Sequence, residues 1–249
     1  MPYNKIGTFE FLAEPFQADY TGHLTLSVLG NHLLNCAGIH AEQRGFGISK
    51  LNNNNSTWVL SRLVIQMNEM PLQYTKFRIE TWVEAVNKLF TSRNFAIFGE
   101  NNEPLGYVRS IWAMIDLSTR KPMNLLELHG PSSIAQYVLP ERECPIDGPS
   151  RFKIKAETPV HTLSARYSDI DINGHFNSVR YIEHILDLFD LEIYKKSPLQ
   201  RFEIAFVNES HFGDNLDFYL ENSGNNQYSV EVKNAATADV ICRSVLQFG

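Results

Sequence analysis

The densest run of polar residues in the chain reads Ser-Asp-Ile-Asp-Ile-Asn-Gly-His-Phe-Asn and occupies positions 168–177. Four of its side chains alternate along the chain, at Asp169, Asp171, Asn173 and His175. Because side chains in an extended segment repeat every two residues, this spacing predicts that all four share one side. Carboxylate, amide and imidazole groups near a helix start could polarise a carbonyl, hold an oxyanion and orient a water. The alternative is that the Asp and Asn residues only form turns and caps.

A similar segment occurs in the first half of the chain. Residues 19–24 read Asp-Tyr-Thr-Gly-His-Leu and residues 171–176 read Asp-Ile-Asn-Gly-His-Phe, an offset of 171 − 19 = 152. A second match joins Met-Asn-Glu at 67–69 to Val-Asn-Glu at 207–209, an offset of 207 − 67 = 140. Two matches in the same order indicate an internal duplication. The difference of 152 − 140 = 12 predicts a longer loop in the first half, with the Gly- and Asn-rich residues 44–55 as the candidate.

Each half predicts one helix followed by several strands. In the second half, apolar residues recur at three- and four-residue steps, at Val179, Ile182, Ile185, Leu186 and Phe189. Asn177 or Ser178 could cap the start of that helix. The first-half helix carries apolar residues at similar spacing, at Leu26, Leu29, Leu33 and Ala37. Gly30 and Gly38 interrupt it and predict close packing at those positions.

Strands are predicted from alternating or continuous apolar runs with turn residues between them. They cover 58–67, 77–81, 95–98 and 107–115 in the first half, and 202–207, 216–220, 228–232 and 240–248 in the second. A helix followed by an antiparallel sheet, made twice, excludes a doubly wound parallel fold, because that fold alternates strands and helices. The expected fold class is α+β, with each sheet wrapped around an apolar helix.

A proline-rich stretch separates the two halves. Between positions 121 and 150 the prolines are Pro122, Pro131, Pro140, Pro145 and Pro149. This composition predicts a linker that crosses the surface, with a short helix near 133–138. The expected organisation is an N-terminal unit at 1–121, a linker at 122–150 and a C-terminal unit at 151–249.

Residues 171–181 read Asp-Ile-Asn-Gly-His-Phe-Asn-Ser-Val-Arg-Tyr. They resemble the Asp-x-Asn-x-His-x-Asn-(x)3-Tyr signature of the acyl-ACP thioesterases, which end fatty-acid synthesis by hydrolysing acyl-acyl carrier protein. The resemblance covers essentially the whole chain and implies two tandem hotdog units, each a long helix wrapped by an antiparallel sheet. It implies the same hydrolytic activity here, with acyl carrier protein as partner and with no cofactor.

The resemblance also implies which residues are catalytic. The family's Asp, Asn and His fall on Asp171, Asn173 and His175, and its Glu-Cys pair falls on Glu209 and Ser210. Because serine replaces the cysteine, a cysteine nucleophile is not available there, which favours attack by water. We expect Glu209 to be the general base, with Asn173 and His175 positioning the water or the thioester carbonyl. Asp171 would hold those two residues in place, and it remains the alternative base.

The first-half copy keeps only part of this set. Asp19, His23 and Glu69 are retained, but Thr21 stands where the second half has Asn173. The missing amide predicts one active site per chain, with the first half serving as scaffold and acyl pocket. Candidate pocket residues, which could equally be plain core, are Leu29, Leu33, Trp58, Leu60 and Phe77.

The composition argues against several classes of protein and predicts a cellular compartment. Its 249 residues include 22 Lys+Arg and 28 Asp+Glu, a net charge of −6 that argues against non-specific nucleic-acid binding. No apolar run approaches the roughly 20 residues of a membrane span, and the N-terminus lacks a signal-peptide layout. The three cysteines, Cys36, Cys144 and Cys242, cannot all pair and form no metal-binding motif. These features predict a cytoplasmic protein without a bound metal.

Docking of an acidic carrier protein to this net-negative chain would need a local basic patch. Two candidates are Arg151, Lys153 and Lys155 at the start of the second half, and Lys195, Lys196 and Arg201 after its helix. Two fused units fit a monomer or a homodimer. Two rival functions remain, a hotdog acyl-CoA thioesterase of the same chemistry and a non-catalytic acyl-binding hotdog module.

Overall fold

The computed structural model describes residues 4–127, 133–150 and 152–249, which fall into two units. Unit 1 consists of the described residues in Met1–Leu63 and Asn68–Gly148. Unit 2 consists of those in Val64–Met67 and Pro149–Gly249. Within the described ranges, no helix is long and apolar enough to cross a membrane.

Unit 1 contains a long helix and a sheet with the strand order β1-β3-β4-β5-β2. Its strands are β1 (Gly7–Leu12), β2 (Ser56–Met67, whose last four residues are counted in unit 2), β3 (Lys76–Val86), β4 (Thr91–Phe98) and β5 (Pro104–Asp116). Its helices are α1 (Leu26–Gln43) and α2 (Ile48–Asn52), with 3-10 turns at Pro15–Gln17, Leu125–Glu127 and Ile134–Tyr137. The pairs β1–β3, β3–β4 and β4–β5 are antiparallel.

Helix α1 begins at a capping residue and buries one face along its length. The Thr25 hydroxyl accepts a hydrogen bond from the Val28 N–H at 3.3 Å, which satisfies one of the donors left unpaired at a helix start. Its buried residues are Ser27, Leu29, Gly30, Leu33, Cys36, Ala37, His40 and Ala41. This face packs on the sheet of unit 1, where α1 contacts β1 and β3. The predicted first-half helix is therefore confirmed.

Unit 2 has a shorter helix and a sheet with the strand order β7-β10-β9-β8-β6. Its strands are β6 (His161–Ser164), β7 (Leu199–Phe206), β8 (Asn215–Gly224), β9 (Gln227–Asn234) and β10 (Val240–Phe248). Its helices are α3 (Ser178–Leu186) and α4 (Leu191–Lys196), with a 3-10 turn at Tyr167–Asp169. The neighbouring strands pair antiparallel throughout. Asn177 caps α3, because its side-chain oxygen accepts from the Val179 N–H at 2.9 Å.

Main-chain hydrogen bonds that recur in both units fix the register of the duplication. The Leu24 N–H donates to Pro71 O, and the Phe176 N–H donates to Ser210 O, both at 2.8 Å. The offsets are therefore 176 − 24 = 152 and 210 − 71 = 139. A second recurring pair has the same offsets, Ala13 N–H to Thr75 O and Ala165 N–H to Asp214 O. The predicted second offset of 140 is wrong by one residue.

The extra length of unit 1 lies in a helix and a strand, and not in the predicted loop. The two helices begin at matched positions, but α1 has 18 residues and α3 has 9. Strand β2 has 12 residues and β7 has 8. The helix is therefore longer by 18 − 9 = 9 residues and the strand by 12 − 8 = 4, which together account for the shift of 152 − 139 = 13. The segments between helix and strand, 44–55 and 187–198, are equally long. A Gly- and Asn-rich composition indicates a loop, but it does not show whether that loop is longer than the equivalent loop of the other unit.

Residues 133–148, most of the described part of the predicted linker, pack on the sheet of unit 1. The Trp82 indole N–H donates to Arg142 O at 2.9 Å, and the Arg142 guanidinium lies 4.1 Å from the centroid of the Trp82 ring. Arg109 donates to two carbonyl oxygens of this segment at 2.8 Å each. The predicted short helix is a 3-10 turn, while residues 128–132 and 151 lie outside the described residues.

The α+β class is confirmed, and all eight predicted strands overlap observed ones. The differences lie at their ends. Strand β8 continues to Gly224, so its turn to β9 is shorter than predicted and consists of Asn225 and Asn226. Both residues have positive φ, 51° and 57°, as expected in a two-residue hairpin turn that matches the twist of its strands. Strands β1 and β6 are additional to the prediction.

His40 should make the stability of unit 1 depend on pH. Its Nε2 bonds to Lys5 O at 3.1 Å, while its Nδ1 is buried without a hydrogen-bond partner among the described residues. Burial, followed by repulsion from Arg93 and Arg44, lowers the pKa of His40 from 6.5 to about 2. Below pH 6.5 the unfolded chain binds a proton at this histidine that the folded chain does not bind. The free energy of unfolding should therefore fall with falling pH, by up to about 1.4 kcal/mol per pH unit.

This is measured by urea denaturation between pH 7.5 and pH 5. A His40→Gln variant, which retains a donor without titrating, should have a shallower dependence than the unsubstituted chain. Substitution of the exposed His161 by Gln is the matched control. Equal slopes in the chain and in His40→Gln would contradict the prediction.

Candidate active site

The motif at 171–175 forms a tight turn held by the carboxylate of Asp171. Its Oδ1 accepts hydrogen bonds from the backbone N–H of Asn173 at 2.8 Å and of His175 at 3.2 Å. The Asp171 N–H donates to His175 O at 2.8 Å. Gly174 has a φ of +79°, a left-handed conformation that favours glycine. The turn thus depends on an aspartate at its first residue and a glycine at its fourth.

This turn overturns the prediction that four alternating polar side chains share one side of an extended segment. Asp169 ends the 3-10 turn that precedes it, and its side chain is buried. The Asp169 carboxylate accepts from the Arg166 N–H at 2.8 Å and lies 3.0 Å from His184 Nε2. Because the chain reverses direction after Asp169, the two-residue alternation does not apply across the turn. Asp169 is a structural partner of His184.

Glu209 lies beside His175, so the structure brings together two residues that are 209 − 175 = 34 positions apart. His175 Nε2 and Glu209 Oε2 are separated by 3.5 Å. Both side chains reach solvent, with exposed fractions of 27% and 40%. An antiparallel bridge between the backbones of His175 and His211 holds the two segments in this position.

His211 is a further polar group at this place that the sequence analysis did not single out. Its ring centroid is 5.3 Å from that of His175, with an angle of 80° between the ring planes. The available signal was its position two residues after Glu209, because alternate residues of an extended segment face the same side.

Asn173 completes the exposed polar group. Its Nδ2 lies 3.4 Å from Asp171 Oδ2, so Asp171 holds the turn backbone with one oxygen and the Asn173 amide with the other. The amide and the imidazole could donate hydrogen bonds to a developing oxyanion, and the Glu209 carboxylate could accept a proton. Among the residues the structure describes, no group of three or more His, Cys, Asp or Glu side chains could hold a metal ion.

Ser210 and Cys242 carry a hydroxyl and a thiol that could in principle attack a thioester, but both residues are buried. The Ser210 hydroxyl is hydrogen-bonded to the Tyr181 hydroxyl, and the residue is 0% exposed. Burial raises the pKa of Tyr181 above its ordinary value and also raises the pKa of the Cys242 thiol. A protonated thiol and a solvent-inaccessible hydroxyl are poor nucleophiles, which favours a water as the attacking group.

The matching turn of unit 1 has the same backbone with different side chains. Asp19 Oδ1 accepts from the Thr21 N–H at 2.8 Å and from the Thr21 hydroxyl at 2.6 Å. The Thr21 Oγ1 also lies 2.9 Å from His23 Nδ1. A hydroxyl that links the aspartate to the histidine therefore takes the place of the exposed amide of unit 2.

The corrected register changes which residues of unit 1 correspond to the candidate site. With the offset of 139, the counterpart of Glu209 is Met70, since 209 − 139 = 70, and that of His211 is Leu72. Glu69 corresponds to Asn208, so the predicted match of Glu69 to Glu209 is wrong. That match rested on the identical residue type and not on the backbone register. Unit 1 therefore lacks the carboxylate as well as the amide.

Unit 1 contains a cavity of about 220 Å³ beside the second half of α1. Residues at helical spacing on α1 form one wall: Leu34, Ala37, Gly38, Ala41 and Glu42. The remaining lining is Phe46, Ile48, Trp58, Thr91, Arg93, Trp112 and Ile134. Helix α3 ends at Leu186, which matches position 186 − 152 = 34. Four of the five lining residues of α1, Ala37, Gly38, Ala41 and Glu42, thus lie on the part of the helix that only unit 1 possesses.

Of the five predicted pocket residues, Trp58 lines this cavity. Leu29, Leu33 and Phe77 are buried in the core of unit 1, and Leu60 is half-buried; for these four, an acyl-binding role stays a prediction. The expected close packing at Gly38 is wrong, because no described atom outside the adjacent backbone of α1 lies within 4 Å of the point where a Cβ would stand. Only Ala37 is shared between the cavity lining and the apolar stripe read from the sequence.

Two family models match most of the chain. The model described as the acyl-ACP thioesterase N-terminal domain matches residues 8–128, and that of the acyl-ACP thioesterase C-terminal domain matches residues 152–247. The boundary between the two matches falls in the region that separates the two copies of the duplicated segment.

Solved structures and curated relatives that resemble this chain are likewise acyl-ACP thioesterases. The crystal structure of an acyl-ACP thioesterase from Bacteroides thetaiotaomicron is 55% identical, covers 98% of both chains and has a TM-score of 0.93. A 12:0-ACP thioesterase from Umbellularia californica is 16% identical with a TM-score of 0.86, covers 99% of this chain and 98% of its own, and supports the fold alone. A chloroplastic acyl-[acyl-carrier-protein] hydrolase of Cuphea viscosissima is 25% identical over 89% of this chain, which spans 56% of that protein. The chain thus spans about half the length of the curated relative. These likenesses confirm the predicted tandem hotdog fold.

Replacement of Ser210 by alanine tests whether its hydroxyl attacks the substrate. Because this hydroxyl is buried against Tyr181, we expect S210A to lose less than about tenfold in thioester hydrolysis, far below the loss when a nucleophile is removed. Stability should fall by about 1–3 kcal/mol, since the Tyr181 hydroxyl is left unpaired. Thiol release and urea denaturation measure the two effects. The double variant S210A/Y181F removes both hydroxyl groups and should regain part of the stability. A thousandfold loss of turnover in folded S210A would instead identify the Ser210 hydroxyl as the nucleophile.

Proposed function

The chain belongs to the acyl-ACP thioesterase family, and we propose that it hydrolyses the thioester of fatty acyl-acyl carrier protein to a fatty acid and the carrier thiol. The observation that carries the proposal is the pairing of His175 with Glu209 at 3.5 Å, beside a turn that holds Asn173 at the surface of unit 2. Unit 1 lacks the amide and the carboxylate, which supports a single active site per chain.

In the proposed reaction, Glu209 accepts a proton from a water while the water oxygen bonds to the thioester carbonyl carbon. The resulting oxyanion accepts hydrogen bonds from the Asn173 amide and the His175 imidazole. The C–S bond then breaks, and the leaving thiolate takes the proton from the Glu209 carboxyl group. One water is consumed, and one carboxylic acid and one thiol are released. No covalent enzyme intermediate is required.

The hydrogen bonds that Asp171 accepts argue against Asp171 as the base. The two oxygens of Asp171 accept the N–H groups of Asn173 and His175 together with the Asn173 amide. A carboxylate engaged in this way stabilises the turn and has little capacity left for a water. Glu209 is more exposed, and it lies against the imidazole that would help to orient the water. We therefore assign Asp171 the positioning role.

The cavity of unit 1 is the proposed site for the acyl chain. Its walls are largely aliphatic and aromatic, as expected for a pocket that removes hydrocarbon from water. Its volume of about 220 Å³ lies below the roughly 300–1,000 Å³ of pockets for drug-sized ligands, which favours a slender chain.

The proposed partner is acyl carrier protein, and exposed lysines of unit 2 are the candidate docking groups. Lys153, Lys155 and Lys196 are exposed, and the exposed Lys195 pairs with Glu192 at 2.7 Å. Arg201 is mostly buried and pairs with Glu203, which makes it the weaker candidate, and Arg151 lies outside the described residues. The three cysteines are free and buried, which supports the proposed cytoplasmic setting.

Substitution of the proposed catalytic residues tests the function directly. E209Q and N173A should each lower thiol release from acyl-carrier substrates by about 10²–10⁴-fold, since they remove the base and an oxyanion donor. The controls lie in unit 1: T21A changes the residue at the position of Asn173, and E69Q makes the same Glu-to-Gln change outside the candidate site. Both should keep turnover near that of the unsubstituted chain.

The comparison requires that all four variants retain the fold, as judged by circular dichroism and thermal denaturation. Near-native turnover in both E209Q and N173A would refute the assignment. Faster hydrolysis of matched acyl-CoA than of acyl-carrier substrates would instead identify free coenzyme A as the carrier. Bound acyl chains without any thiol release would identify a binding module.

Gly38→Leu tests the proposed acyl cavity. The added side chain would project into the open space beside Gly38, while replacement of a helical glycine should not destabilise α1. We expect a shift towards shorter acyl substrates, with an at least tenfold loss of kcat/KM for long chains. A panel of acyl-carrier substrates of increasing length measures the shift, and Gly38→Ala is the small-volume control. An unchanged profile in folded Gly38→Leu would show that the chain binds elsewhere.

A further inference from the structure

The cavity of unit 1 contains one buried cation in an otherwise largely apolar wall. Arg93 lies on β4, is 5% exposed and lines the cavity between aromatic and aliphatic side chains. A guanidinium carries five N–H donors and stays protonated at neutral pH. An arginine is not needed to bind a plain hydrocarbon, so its position calls for a chemical explanation.

The protein itself provides little compensation for this charge. Within the part of the chain that the structure describes, the side chain makes one hydrogen bond, from Nη1 to Thr81 Oγ1 at 3.2 Å, and no carboxylate pairs with it. Glu42 also lines the cavity, but its carboxylate accepts the Ser49 N–H at 2.8 Å. A buried charge without a counterion or a full set of acceptors is costly, because the lost hydration is not replaced.

The positive charge of Arg44 increases this cost. Burial and repulsion from Arg44 lower the pKa of Arg93 to about 9, so that it still carries its charge at neutral pH. His40 is neutral and offers no negative charge. The part of the cavity wall at Arg93 is therefore a site of positive potential with unused hydrogen-bond donors.

We propose that the cavity of unit 1 binds an aliphatic chain that carries an oxygen acceptor, and that Arg93 recognises this oxygen. The ligand would place its hydrocarbon along α1, Trp58 and Trp112 and its oxygen against the guanidinium. A hydroxyl or oxo group on an acyl chain and the carboxylate of a free fatty acid share this chemistry. This proposal rests on the proposed function in one respect, because it takes an acyl chain as the natural ligand.

Binding of eight-carbon probes tests the proposal without any turnover. The protein contains three tryptophans, of which Trp58 and Trp112 line the cavity, so a change in the intensity or wavelength of their emission reports occupancy. The probes are octan-1-ol, octanoate and, as the oxygen-free match, n-octane from a saturated solution. We expect R93M to weaken binding of octan-1-ol or octanoate by at least about tenfold and to leave n-octane unaffected.

Two further variants locate the effect. R78M removes a half-exposed arginine of β3 that does not line the cavity, and it should bind all probes like the unsubstituted chain. G38L retains Arg93 but fills the space beside it, and it should lose binding of every probe. G38L also keeps the test decisive if R93M does not fold, since unchanged octan-1-ol binding in G38L would place the ligand outside the cavity and overturn the proposal.

The pattern of affinities separates the two oxygen sources. Tighter binding of octanoate than of octan-1-ol supports recognition of a free fatty acid, and comparable affinities support recognition of an oxygenated acyl chain. Equal affinities for all three probes, unchanged in R93M, would overturn the proposal even if acyl-carrier thioesters are hydrolysed. Absence of hydrolysis with Arg93-dependent binding would refute the proposed function and leave this inference standing.

Discussion

The candidate site depends on the carboxylate of Asp171, which accepts the backbone N–H groups of the turn that it begins. With Gly174 in a left-handed conformation, these bonds reverse the chain within five residues and place His175 on a bridge to His211. The same bridge brings Glu209 to the imidazole. The Asp19 turn of unit 1 has the same construction, so the turn is a scaffold, and the chemistry comes from the side chains placed on it and opposite it.

Sequence reasoning found the duplication, the strands and the polar site residues, because these leave local patterns. It missed the register of the second match, because Glu69 and Glu209 are alike in type, whereas the recurring main-chain hydrogen bonds make Met70 the position equivalent to Glu209. It also assigned the length difference to an Asn-rich loop, whereas the additional residues extend a helix and a strand. Neither α1 nor β2 carries a local signal that it is longer than its counterpart.

The cavity was harder to predict than the polar site. Its lining comes from five separate parts of unit 1, and it includes Arg93, a residue type that hydrophobic patterning assigns to the surface. Gly38 appeared as an interruption of the helix, although its lack of a side chain leaves room in the cavity. The cavity and its buried arginine result from packing between segments that are distant in the sequence. The periodicity of apolar residues along a single helix does not predict such packing.

The unequal length of the two helices separates tasks that a single-copy ancestor would have had to combine. Because α1 and α3 begin at matched residues, the additional turns of α1 extend away from its capped end and leave the Asp19 turn unaltered. If the proposed function holds, residues along those additional turns can vary with selection on the ligand while the proposed hydrolytic residues of unit 2 stay fixed. A difference in helix length between two duplicated units would thus let substrate choice evolve independently of bond-breaking chemistry.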